Sequence, residues 1–253
     1  MKHLLSIGLA IFCIYAPFNF VRADEKDLTI FAAASTQNAL IELASAYPTT
    51  EKINLSFGGS AIMARQINAG AQTDIFISAN REWVQYLKDS KKLQANPTTL
   101  VGNRLVLAGT KNRHLPNLTI LDSSKLIELV GDTKLATPNP QTAPAGQYVK
   151  RYLQSIDAWS LLKGKMAFSP NVRQTLRLIE YGGLPGFIYS SDAHISANVR
   201  VLYEIPKDMN SPIEYVAAPI TDNEKTNAFI NFLKSPIAAQ IWEKYGFITI
   251  ASN

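Results

Sequence analysis

Leu28-Thr29-Ile30-Phe31-Ala32-Ala33-Ala34-Ser35 is an apolar run that stops at a serine, and Ile53-Asn54-Leu55-Ser56-Phe57-Gly58-Gly59-Ser60 stops the same way. After each serine the apolar residues change spacing. Leu40, Leu43, Ala44 and Tyr47 follow the first, and Ile62, Met63 and Ile67 follow the second, at the intervals of one helix face. Two strands are therefore expected to deliver the chain to two helix N-termini. The first N–H groups of a helix have no intrahelical acceptor and the helix dipole is positive there, so such a terminus holds an oxyanion without a charged side chain.

The alternation continues along the chain. Asp74-Ile75-Phe76-Ile77-Ser78-Ala79 reads as a third strand, followed by a helix over 82–89, and Arg104-Leu105-Val106-Leu107-Ala108 as the next strand. A helix over 123–129 precedes a short strand over 134–137, which Pro138-Asn139-Pro140 breaks. Pro144 suits the first turn of a helix reaching Ile156, and Asn171 with Gln174 forms a capping pattern for a helix reaching Tyr181. Between them lies a strand over 165–168. Gly186-Phe187-Ile188-Tyr189 reads as a buried strand, 199–205 and 213–220 as two more, and 223–233 and 236–245 as closing helices. Strands alternating with helices predict an α/β architecture. No repeat and no Gly/Ser- or Pro-rich linker divides the chain, so two lobes would be joined by ordered crossings near Leu105 and Tyr215.

Residues 1–23 read as a cleaved secretory signal: Lys2 and His3 form an n-region, 4–20 is mostly apolar, and Val21-Arg22-Ala23 suits a signal peptidase. Pro17 and Asn19 interrupt the stretch, which argues against a spanning anchor. The sole cysteine, Cys13, falls within it. An exported chain without cysteine has no disulfide, no thiolate metal site and no cysteine nucleophile. Loss of Lys2 and Arg22 takes the formal charge from +5 to +3. No Lys/Arg cluster interleaved with aromatics points to nucleic acid.

The serine junctions are not alone. Ala145 and Gly146 lie in a helix first turn after the Pro138 to Pro144 loop, Val172 opens another after Ser169-Pro170-Asn171, and Tyr189 ends a strand at a sheet's carboxyl edge. Together they offer hydroxyl and amide donors without a full charge. Taken singly, each reads more simply: Ser35 as an N-cap, Gly58-Gly59-Ser60 as a tight turn, Tyr189 as a core tyrosine.

In order, Phe31-Ala32-Ala33-Ala34-Ser35, Gly59-Ser60 with Ala64-Arg65-Gln66-Ile67 and Gly70-Ala71, Asp74-Ile75-Phe76-Ile77-Ser78-Ala79, Pro144-Ala145-Gly146, Asn171-Val172-Arg173, Gly186-Phe187-Ile188-Tyr189-Ser190-Ser191-Asp192-Ala193 and Tyr245-Gly246-Phe247 resemble the periplasmic molybdate-binding proteins of ABC transporters. The likeness spans nearly the whole chain after residue 23. It departs at Gln72-Thr73, where the family usually has Pro-Ala, at Asn139 before Pro140, and at Ala143. None of these replaces a proposed donor.

That resemblance implies an α/β, two-lobed class II periplasmic binding protein, each lobe a mixed sheet flanked by helices, with the ligand cleft between them. Lobe 1 is expected over 24–105 and, after lobe 2 over 106–212, again over 213–253. The implied ligand donors are Ser35, Ser60, Ala145, Val172 and Tyr189. Ala145 and Val172 would act through backbone N–H, which proline substitution removes and side-chain truncation does not. The implied function is capture of molybdate, and of tungstate, in the periplasm by a non-catalytic monomer. Delivery would be to an inner-membrane ABC permease with its cytoplasmic ATPase. No cofactor is expected, and molybdenum enters only as the bound oxyanion.

Two other readings compete. Sulfate is a tetrahedral dianion differing mainly in size. A secreted serine hydrolase would need a base, and the residues after 23 offer only His114 and His194, with no Gly-x-Ser-x-Gly elbow. Two histidines are also too few for a metal centre.

Overall fold

The structure is a computed structural model describing residues 27–209 and 211–250. The expected signal peptide over 1–23 lies outside the described residues.

The first lobe begins with β1 (Leu28–Ala33), a 3-10 turn (Ala34–Thr36), α1 (Gln37–Ala46), β2 (Ile53–Gly58), α2 (Ser60–Asn68), β3 (Ile75–Ser78), α3 (Arg81–Asp89) and β4 (Thr98–Asn103). The second contains β5 (Leu105–Thr110), α4 (Ser123–Val130), β6 (Leu135–Pro138), α5 (Pro144–Ser155), α6 (Trp159–Leu162), β7 (Met166–Ser169), α7 (Val172–Glu180), β8 (Gly186–Tyr189), α8 (Ser190–His194) and β9 (Val199–Glu204). The chain then returns with β10 (Ile213–Pro219), α9 (Glu224–Phe232), α10 (Pro236–Lys244) and β11 (Ile248–Thr249).

Two mixed sheets result. The first runs β11-β4-β10-β3-β1-β2, with β1 parallel to β2 and β3 and with β10 antiparallel to β3 and β4. The second runs β7-β6-β8-β5-β9, with β6 parallel to β7 and β8 and with β5 antiparallel to β8 and β9. Sequence-distant β4 and β10 are neighbours, so the return segment completes the first sheet.

β3 shows why the sheets hold. All of Ile75-Phe76-Ile77-Ser78 is buried, as expected of a central strand covered on both faces. Alternation sends Ile75 and Ile77 into the main core and Phe76 into a smaller one with Met63, Val84, Leu87 and Val216. Each face thereby acquires its own layer of helices.

Several elements differ from the sequence reading. β4, α6 and β11 were not expected: Thr98-Thr99-Leu100-Val101-Gly102-Asn103 lacks an apolar alternation and is ordered by its pairing with β10. Leu105, placed in the first lobe by the sequence, pairs with Tyr189 in the second sheet, so the chain passes between sheets at Arg104. Ser190-Ser191-Asp192 belongs to a short helix, and Ser35 sits in a 3-10 turn ahead of α1.

Register fixes the placement of the serines. Ala33 pairs with Gly58, so β1 and β2 end level and deliver Ser35 and Ser60 side by side at the sheet's carboxyl edge. Pro138 pairs with Ser169 in the second sheet, which brings the starts of α5 and α7 together in the same way.

Candidate functional site

Ser35, Ser60, Ala145, Val172 and Tyr189 all line one small cavity between the lobes. The rest of its wall is Ala33, Ala34, Gly58, Gly59 and Ala79 from the first lobe and Ala143, Pro144 and Asn171 from the second. Among the described residues, no charged side chain lines it. Small residues make up most of the wall, which lets backbone approach the centre.

Ser35 does not cap a helix with its side chain. It is buried, and its Oγ lies 2.6 Å from the Tyr215 hydroxyl. The proton order follows from the neighbours. Arg104 N–H donates to Asn103 Oδ1 at 2.9 Å, which orients the amide so that Nδ2 donates to Tyr215 OH at 3.3 Å and to Ser191 Oγ at 2.8 Å. Burial raises the Tyr215 pKa above the ordinary phenol value, so the phenol keeps its proton. Either hydroxyl of this pair can donate, and with the phenol as donor the serine's own hydrogen is left for the cavity.

Ser60 is the first residue of α2 and is fully buried. Ala79 N–H donates to its Oγ at 3.2 Å, so this hydroxyl also has its proton to give. Gly59 precedes it because nothing larger fits: a Cβ there would stand 2.2 Å from Thr142 O and 2.9 Å from Pro170 O, both across the cleft.

In the second lobe, Ala145 follows Pro144 in the first turn of α5, and Val172 opens α7. Asn171 Oδ1 accepts the Gln174 N–H at 3.1 Å, a cap that leaves the Val172 N–H uncommitted within the helix. Tyr189 is 1% exposed, and its hydroxyl has no hydrogen-bond partner among the described residues. An unmade bond at a buried hydroxyl costs about 1–3 kcal/mol, and burial pushes this phenol well above its usual pKa. Its ring packs edge-to-face on Tyr215, with centroids 6.1 Å apart.

Behind the cavity lies an ion pair. Arg173 Nε is 2.7 Å from Asp192 Oδ1, although its N–H does not point along that line. The Asp192 carboxyl is fully buried, and burial raises its pKa to about 6 against the opposing effect of the Arg173 charge. The other guanidinium nitrogens cross the cleft: Nη2 donates to Ser35 O at 2.9 Å and Nη1 to Asn38 Oδ1 at 2.7 Å. Nearer the mouth, Arg65 donates to Gln141 O at 2.9 Å, Asn80 to Gln147 Oε1 at 2.9 Å, and Arg151 pairs with Glu82 at 3.2 Å. The lobes are closed on one another.

Sequence reasoning missed the support around the donors. Asn103, Tyr215, Arg173 and Asp192 were not singled out; the last two stand inside quoted motifs, while Asn103 and Tyr215 carry no local signal. Among the described residues, Ser35 and Ser60 meet Tyr215 and Ala79 rather than a histidine, and the His194 ring meets the Lys244 carbonyl at 3.2 Å. Among the described residues, no group of three or more His, Cys, Asp or Glu could hold a metal ion.

Comparison with known proteins agrees with this architecture. The family model for bacterial extracellular solute-binding proteins matches residues 28–248. Molybdate-binding protein ModA of Escherichia coli K12 is 38% identical over 231 residues, covering 89% of this chain and 90% of the relative. Its counterpart in Haemophilus influenzae is 33% identical over 256 residues, covering 98% and 99%. The solved periplasmic molybdate-binding protein of Azotobacter vinelandii shares the fold, with a TM-score of 0.75 at 23% identity over 88% of this chain and all of that one (100%). The chain belongs to the bacterial extracellular solute-binding protein family.

Proposed function

We propose that this protein is a periplasmic receptor that captures molybdate, and tungstate with it, and delivers the oxyanion to an inner-membrane ABC importer. It acts by binding and closure, without catalysis. The hydroxyls of Ser35, Ser60 and Tyr189 and the backbone N–H groups of Ala145 and Val172 hold the ligand. The observation that carries this reading is the Tyr189 hydroxyl, buried and unpartnered, at a cavity where uncommitted donors from both lobes meet.

The chemistry is complementary. Molybdate carries no proton at neutral pH, so each of its contacts must be donated by the protein. Hydrogen phosphate would need an acceptor for its own hydrogen, and the donor set provides no carboxylate. Each bond to a charged acceptor contributes about 1.5–3 kcal/mol net. Several of these, offset by desolvation and closure, are consistent with submicromolar binding. The relatives named as molybdate-binding proteins support the same ligand. Molybdate and sulfate carry equal charge, so discrimination rests on cavity size.

Thermal shift and isothermal titration with molybdate, tungstate, sulfate and phosphate test the assignment. Stabilisation by molybdate and tungstate, with little by sulfate or phosphate, is expected. No shift with any oxyanion overturns the binding role, and stabilisation by sulfate alone reassigns the protein as a sulfate carrier.

A further inference from the structure

Arg173 lies outside the donor set, yet it is the side chain that joins the second lobe to a proposed ligand residue of the first. Its anchor and its targets are on different lobes. Asp192, in α8 of its own lobe, is fully buried beside Nε, and the Arg173 side chain is only 17% exposed. Nη1 and Nη2 reach Asn38 and the Ser35 carbonyl in the first lobe. The links at the mouth differ: Arg65 to Gln141 and Arg151 to Glu82 are exposed, and neither touches a cavity donor.

We infer that Arg173 is a positioning residue that latches the closed form and thereby sets how long the bound oxyanion is retained. Opening the lobes separates the guanidinium from Ser35 and Asn38 but leaves it beside Asp192. The fork therefore stays aimed at the first lobe and is ready when the lobes meet again. Ser35 takes part in both events: its carbonyl accepts the latch, while its hydroxyl faces the cavity. Because Asp192 neutralises Arg173, the latch places no net charge behind a dianion. A planar guanidinium alone makes these divergent contacts together; a lysine ammonium, a single point, does not.

The inference rests on the oxyanion-receptor reading, and the experiment separates the two. Stopped-flow mixing with sodium molybdate gives association and dissociation rates for the unsubstituted protein, Arg173→Gln, Arg173→Lys and Asp192→Asn. Loss of two charge-assisted bonds formed only on closure is expected to speed dissociation about 10- to 100-fold in both Arg173 variants, with association changed less than about threefold. Asp192→Asn is expected to show a smaller increase, because the fork remains but is less held. Unchanged dissociation in Arg173→Gln overturns the latch, as does an equal slowing of association, which would mark damage to the lobe.

Spin labels at Lys88→Cys and Gln154→Cys, in a Cys13→Ser background, report lobe separation independently of binding. If the unsubstituted protein binds no molybdate, the receptor reading fails while the latch is still tested. A closed population that Arg173→Gln depletes supports it, and identical distance distributions overturn it.

Discussion

The Tyr215 hydroxyl stands 2.6 Å from Ser35 Oγ and is itself held by Asn103 Nδ2. With the phenol as donor to the serine, a relay runs from the Asn103 amide through Tyr215 to Ser35 and ends at the cavity. Its direction is set by a backbone N–H, that of Arg104, which fixes the amide. A phenol that gives its proton to Ser35 Oγ frees the serine's own hydrogen for a ligand.

Ser35→Ala is expected to weaken molybdate binding by about 1–3 kcal/mol, and Tyr215→Phe by about 1 kcal/mol through loss of proton orientation. Titration calorimetry on the pair is the check. The double variant should lose little beyond Ser35→Ala, because Tyr215 acts through the serine. Fully additive losses would show that the relay does not exist.

Tyr189→Phe separates stability from function. Removing a buried hydroxyl that has no partner among the described residues is expected to leave the ligand-free protein as stable or up to about 1 kcal/mol more stable. The same change should cost about 1.5–3 kcal/mol of molybdate binding. Thermal melts with and without molybdate read both effects, and a marked loss of stability without ligand would contradict the assignment.

Gly59→Ala should impair closure rather than folding. Its φ of −69° and ψ of 132° suit alanine, but the new methyl would stand 2.2 Å from Thr142 O on the opposite lobe. Affinity is expected to fall at least about tenfold, with the ligand-free melting temperature changed by only a few degrees. Gly58→Ala is the control: its methyl would meet the flexible end of Met63 at 2.6 Å, which can turn aside. Equal affinities for the two variants would remove the steric account.

Asp192 makes stability depend on pH. Burial raises its pKa from 3.8 to about 6 in the folded state, so the native protein holds this proton more tightly than the unfolded chain. Its contribution to stability should therefore decline as pH rises from about 4 through 6 and then level off. Denaturant titrations across that range should give a difference between wild type and Asp192→Asn that changes in this window and is flat above it. A difference rising with pH would reverse the sign and refute the assignment.

Most strands and helices were legible because their signals are local. Ile75-Phe76-Ile77 is apolar throughout, Asn171 caps α7 as its spacing from Gln174 suggests, and Pro144 opens α5. β4 was not legible, since Thr98, Thr99, Gly102 and Asn103 have no strand pattern of their own and are ordered by β10, more than a hundred residues away. For the same reason the crossing could be placed only near Leu105, while pairing puts it at Arg104.

The five residues around the cavity were nameable in advance because each sits where a strand or loop meets a helix, and the family resemblance linked them. Their convergence belongs to the two sheets, whose carboxyl edges face one another. The proton order at Ser35, the unpartnered Tyr189 hydroxyl and the Arg173 bridge depend on contacts between residues far apart in the chain. Spacing determined alone that helix starts with free donors exist. Tertiary packing decided where those donors point, because a hydroxyl's proton follows its neighbours and a guanidinium's partners are whatever surface closes over it.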